Sequence, residues 1–169
     1  METNQLYEQI ANTLNSLAAK LNTFDDEQIN QIPGQGGWSA GQLAEHLLKS
    51  YPVDGLIEPV RSCDRDPNEK VQMLQDTFLN FDIKMNSPEF ILPGTGPYNR
   101  TDLLSSLEEA KTKILELIAS HDLSKICTDF VVPELGEMSR SEWIHLLLFH
   151  TQRHLKQLEA ISAGLTVKA

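Results

Sequence analysis

Positive charge is scarce in this chain: 14 Lys and Arg stand against 24 Asp and Glu, a formal charge of −10 at pH 7. A surface of that sign repels a phosphate backbone, and no basic stripe interleaved with aromatics offsets it, so a nucleic-acid partner is not expected. Cysteine is scarcer still. Cys63 and Cys127 could make at most one bridge, and a reduced cytosolic thiol pair is the simpler reading. Cys127 has no nearby cation beyond Lys125 and is expected to be structural. No apolar run approaches the roughly 20 residues a membrane-spanning helix needs. The opening METNQLYEQIANTL is already amphipathic, without the charged and then apolar pattern of a secretion signal. A soluble cytoplasmic protein with no membrane partner is expected. HExxH, a glycine-rich phosphate loop and a serine in a nucleophile elbow are also missing.

What the sequence does have is helical periodicity, over a length of 169 residues that suits one domain, 1–169. Leu6, Ile10, Leu14, Leu17, Leu21 and Phe24 recur at steps of three or four and define helix one. IPGQGGW, with Pro33, Gly34, Gly36 and Gly37, breaks it. Ser39 then offers a hydroxyl cap to helix two, predicted from about residue 39 towards 57, with Pro52 bending or ending it. Val71, Leu74, Phe78 and Phe81 predict a smaller helix over about 67–81 that packs across the bundle. SPEFILPGTGPYN, residues 87–99, holds three prolines and two glycines and reads as an irregular crossover bordering a site. Thr101 or Asp102 can cap helix three, whose stripe is Leu103, Leu107, Ala110, Ile114 and Leu117, ending near His121. Ser139 with Glu142 has the form of a capping box opening helix four, which runs to about Ile161 with Gly164 as its stop. No strand pattern or internal repeat is visible. The pattern predicts an all-α, up-and-down four-helix bundle with a short extra helix and a long crossover between helices two and three.

On helix four the inward stripe is Trp143, Leu147, His150, His154, Leu158 and Ile161, so two core positions are imidazoles. Residues four apart share a helix face, about 5–6 Å between Cβ atoms, which lets both rings grip one ion. His46 lies between Leu43 and Leu47 on the apolar face of helix two and could reach the same cavity. Three core histidines, each satisfied by its own hydrogen bond, are the alternative. A metal would partner all three nitrogens and keep a vacant coordination position, as in catalytic rather than closed structural sites. Zinc, nickel and ferrous iron all suit such a donor set, and three neutral imidazoles would leave the ion's charge free to acidify a bound water towards a pKa of roughly 7.

Other candidates are weaker. A di-iron carboxylate site needs two Glu-x-x-His motifs plus two more glutamates, and only Glu142 with His145 is present. His145 falls five residues before His150, on another face, and reads as a surface or supporting residue. Glu45 points about 100° away from its neighbour His46 and reads as a solvated charge. Arg153 lies off the ligand stripe, whereas Gln157, three residues beyond His154, could orient that ring through a hydrogen bond. No residue can be assigned a proton-transfer role, so the catalytic residues are unknown, and no organic cofactor is indicated.

Three stretches resemble the DinB-like superfamily of metal-binding four-helix bundles: GWSAGQLAEHL (37–47), PELGEMSRSEW (133–143) and HTQRHLKQ (150–157). The resemblance implies the bundle fold, a homodimer, and a nickel- or zinc-type ion on His46, His150 and His154. It implies no single reaction, since some members resemble thiol S-transferases that use bacillithiol or mycothiol and others are called hydrolases. A divalent-metal-binding protein that activates a water or a low-molecular-weight thiol is therefore expected, with a small-molecule substrate or thiol as partner. The alternative is a non-catalytic binding or interaction module whose metal site is structural or vestigial. Members often carry a histidine before the connector proline, where this chain has Val132 before Pro133. That departure weakens any role for an extra ligand at this turn.

Overall fold

The computed structural model describes residues 2–166. Its elements are α1 (Glu2–Leu21), α2 (Ala40–Lys49), α3 (Val53–Ile57), β1 (Val60–Arg61), α4 (Val71–Phe78), α5 (Arg100–Ser120), β2 (Ile126–Cys127) and α6 (Arg140–Thr166). α1 and α2 pack against both α5 and α6, giving the expected four-helix bundle, and α4 lies against α6 as the extra helix. The predicted stripe of α1 is buried from Leu6 through Phe24 and meets Leu107, Ile114, Leu117, Leu147, Leu158 and Ile161 in one core cluster. Among the described residues no helix is long and apolar enough to cross a membrane.

Local chemistry sets the element ends, and three of them differ from expectation. Helix two was expected to run towards residue 57 with Pro52 bending or ending it, and the second alternative holds. It stops at Lys49, and Pro52 caps the separate α3, because a proline ring offers no N–H and crowds the preceding turn. α5 is capped by Asn99 rather than Thr101 or Asp102: its extended backbone lets Oδ1 accept from the Asp102 N–H at 3.1 Å. α4 begins only at Val71, since the Lys70 N–H is drawn to Glu142 Oε1 at 2.9 Å. Gly164 does not stop α6, which continues to Thr166. A Cβ there would lie 3.4 Å from Gln35 Nε2 and 3.6 Å from the Pro33 Cβ, ordinary contact distances, so packing does not demand a glycine either.

Both serine caps form as expected. Ser39 Oγ accepts from the Gln42 N–H at 3.2 Å while Gln42 Oε1 accepts from the Ser39 N–H at 3.0 Å. Ser139 and Glu142 repeat the box at α6, at 3.0 and 2.9 Å. Glu142 does more than cap. Fully buried, it also accepts two bonds of 2.7 Å from the Arg65 guanidinium, tying the insertion to the first turn of α6. An antiparallel ladder pairs Val60 with Cys127 and Arg61 with Ile126, joining the segments after α3 and α5. Two residues are too few for an alternating pattern to show in sequence.

Candidate metal centre

Two turns of α6 and the C-terminal half of α2 bring three imidazoles to one point in the core. His46 Nε2 lies 3.2 Å from His150 Nε2 and 3.1 Å from His154 Nε2, and the last two are 2.9 Å apart. His46, His150 and His154 are 1, 8 and 8 % exposed as whole residues, with Trp38 packed on the first ring and Phe78 edge-on to the second.

The outer nitrogens decide the chemistry of the inner ones. His46 Nδ1 sits 2.9 Å from the Ile91 carbonyl oxygen, which only accepts, so Nδ1 carries the proton. His154 Nδ1 donates in the same way to Gln157 Oε1 at 2.8 Å. His150 Nδ1 meets Ser50 Oγ at 3.2 Å, and that hydroxyl spends its own hydrogen on the Leu47 carbonyl at 2.7 Å, so it too accepts. All three Nε2 atoms therefore present lone pairs to one another with no hydrogen between them. Buried acceptors facing acceptors are costly without a shared cation.

Metal geometry fits that requirement. Imidazole nitrogens about 2.0–2.1 Å from one ion, at angles of roughly 90 to 110°, stand about 2.9–3.4 Å apart, which spans the three distances observed. Among the described residues the cluster comprises these three histidines and no carboxylate or thiolate. A proton is a poor substitute. Burial, reinforced by the neighbouring imidazoles, pushes His154 down to about 4 and His150 well below the usual histidine range. Burial also lowers His46, although the Ile91 carbonyl opposes the shift.

A family model for the DinB superfamily matches residues 6–158, most of the chain and all three histidines. The chain belongs to the DinB superfamily. Its relatives include the uncharacterized protein YuaE of Bacillus subtilis strain 168, 22 % identical over 152 residues, which cover 84 % of this chain and 88 % of YuaE. Among solved structures it is similar to YfiT of Bacillus subtilis, described as a probable metal-dependent hydrolase with an unusual four-helix bundle topology. That match has a TM-score of 0.63 at 12 % identity and covers 97 % of this chain and 87 % of YfiT, a likeness of fold.

Within this DinB-superfamily bundle the remaining candidates separate clearly. Gln157 takes the expected place behind His154. Glu45 is not merely solvated: Oε2 accepts from the Gly94 N–H at 2.7 Å and from the Tyr98 hydroxyl at 2.5 Å, and Lys49 Nζ lies 3.2 Å from Oε1. Arg153 donates from Nη1 to the Phe78 and Asn80 carbonyls, at 3.1 and 2.9 Å, and from Nη2 to that of Ile83. It pins the chain leaving α4. His145 is on another flank of α6, its Nδ1 2.8 Å from the Ser141 carbonyl, and helps line a cleft of about 450 Å³ with Leu6, Val71 and Phe149. Cys63 and Cys127 are free thiols; Cys127 is buried, which pushes its thiol up to about 11, in keeping with a structural role.

Three supports of the histidines went unread in the sequence. Ser50 lies four residues after His46, a spacing that could have flagged it. Trp38 is an aromatic just before the helix, a weaker signal. The Ile91 carbonyl is backbone within an irregular crossover, and no residue type announces it.

Proposed function

We propose that His46, His150 and His154 hold one divalent metal ion, zinc or nickel being the best suited, and that the protein is a metal-dependent enzyme acting on an electrophilic or acyl small molecule. The observation that carries this reading is the convergence of three Nε2 lone pairs within 3.2 Å, each fixed by a different partner on Nδ1. When bound, a divalent ion on three neutral imidazoles supplies Lewis acidity that lowers the pKa of a water or low-molecular-weight thiol.

The chain's own part is orientation and shelter. Ile91, Gln157 and Ser50 fix the tautomers and ring planes, which raises donor strength and holds the ligands in place. Trp38 and Phe78 give the rings apolar neighbours, strengthening charge interactions at the site. No carboxylate of the described residues joins the cluster, so hydrolase and thiol S-transferase chemistry both remain compatible with it. The likeness to YfiT supports the hydrolytic branch.

One observation favours a second reading. The histidines are at most 8 % exposed, as expected if the ion staples α2 to α6 without chemistry. Acyl esters, and thiols paired with an alkylating electrophile, separate the two when turnover is measured before chelation, after it, and after zinc or nickel is restored. Turnover that vanishes and returns, and is missing from His150→Ala, supports the enzyme. A chelated protein that only melts earlier, with no turnover in any state, supports the staple.

A further inference from the structure

Gln42, Glu45, His46 and Lys49 occupy positions i, i+3, i+4 and i+7 of α2, one face of the helix. Every one of them binds the backbone of the same short stretch of the crossover. Gln42 Nε2 donates to the Gly94 carbonyl at 3.0 Å, Glu45 Oε2 accepts from the Gly94 N–H at 2.7 Å, His46 Nδ1 donates to the Ile91 carbonyl at 2.9 Å and Lys49 Nζ donates to the Leu92 carbonyl at 2.9 Å. The partner of the histidine is thus set by where the other three hold residues 91–94.

Tyr98 locks the far end of that stretch. Its hydroxyl donates to Glu45 Oε2 at 2.5 Å, while its own backbone is held on both sides by Asn30, N–H to Oδ1 at 2.6 Å and carbonyl to Nδ2 at 2.9 Å. The ring lies so close over α2 that a Cβ on Gly41 would come within 2.6 Å of Tyr98 Cδ2. A glycine at that position admits the tyrosine.

We infer that Glu45 and Tyr98 are positioning residues of the metal centre: they hold the crossover so that the Ile91 carbonyl keeps His46 protonated on Nδ1, with its Nε2 lone pair turned to His150 and His154. The inference rests on the metal reading above. Outer partners of metal-bound histidines are typically worth about 10- to 100-fold in affinity, and here the partner is a carbonyl that depends on a side-chain latch.

The test compares wild type with Tyr98→Phe, Glu45→Ala, Glu45→Gln and, as a structural control, Arg65→Met, which breaks a tie of the insertion to α6 outside the latch. Zinc dissociation constants come from chelator competition, and the His46 tautomer of the metal-free protein from its ring ¹⁵N shifts. Tyr98→Phe and Glu45→Ala are expected to weaken zinc about 10-fold and to shift His46 to a tautomer mixture. Glu45→Gln keeps an oxygen for the Gly94 N–H and should fall between them and wild type. Arg65→Met should melt earlier with zinc affinity and tautomer unchanged. Latch variants that match wild type in affinity and tautomer, or a control that weakens zinc as much as they do, overturn the positioning role alone. Wild-type protein that takes up neither zinc nor nickel overturns the metal reading and this inference with it.

Discussion

Each histidine of the triad rests its Nδ1 proton on a different kind of partner: a backbone carbonyl, a hydroxyl and a side-chain amide. The last is the simplest to perturb. Gln157→Leu keeps most of the volume and removes the acceptor, so it should weaken metal affinity about 10-fold while leaving the fold intact; chelator competition checks it. The same burial makes the metal-free protein sensitive to acid. His154 has a folded value of about 4 against an unfolded value near 6.5, and His46 and His150 are lowered in the same direction. Between those values the unfolded chain binds more protons, so stability falls as pH drops from about 6.5 towards 4. Urea midpoints of chelated protein should therefore be lower at pH 5.5 than at pH 7.5. A midpoint that does not change would contradict the buried neutral triad.

Elements are held by a few side chains that reach across the sequence. Glu142, fully buried at the start of α6, is the clearest case, closing a capping box and binding both Arg65 and the Lys70 N–H. Removing one partner of a buried ion pair leaves the other uncompensated, so Arg65→Met, which strands the fully buried Glu142 carboxylate, should cost about 3–5 kcal/mol in equilibrium unfolding. Glu142→Leu instead leaves Arg65 partly open to solvent and beside Glu69, so its cost comes from the Ser139 and Lys70 N–H groups left without their acceptor. The Ser139–Glu142 box was legible because its spacing is a local signature. The clamp on Arg65 was not, because a contact over 77 positions leaves no periodic trace. Likewise Pro52 revealed the break after α2, whereas Asn99 displaced Thr101 and Asp102 as a cap through a backbone angle that three neighbouring polar residues could equally have adopted. Gly164 misled for a physical reason: glycine ends a helix where its backbone turns left-handed, and here it stays helical to Thr166.

At the scale of the whole molecule, the bundle was readable since the stripes of α1, α5 and α6 kept a helical period and became one core. The histidine cluster was readable by the same logic, as His46, His150 and His154 interrupt apolar faces on two helices that must pack together. What holds His46 was hidden in the crossover, whose prolines and glycines carry no period. An ion joining α2 to α6 binds the folded chain and not the unfolded one, adding about 4 kcal/mol when free metal is a thousand times its Kd. For a domain of this size that corresponds to roughly 8–16 °C in Tm, which calorimetry before and after chelation would reveal.

The central claim is one ion on three histidines, and metal content per chain tests it most directly. Protein loaded with zinc or nickel, freed of excess and analysed for elements, should carry one ion per chain, and His46→Ala, His150→Ala and His154→Ala should each carry close to none while staying folded by circular dichroism. Wild-type protein that retains no metal, or a folded variant that still holds a full equivalent, would contradict the account.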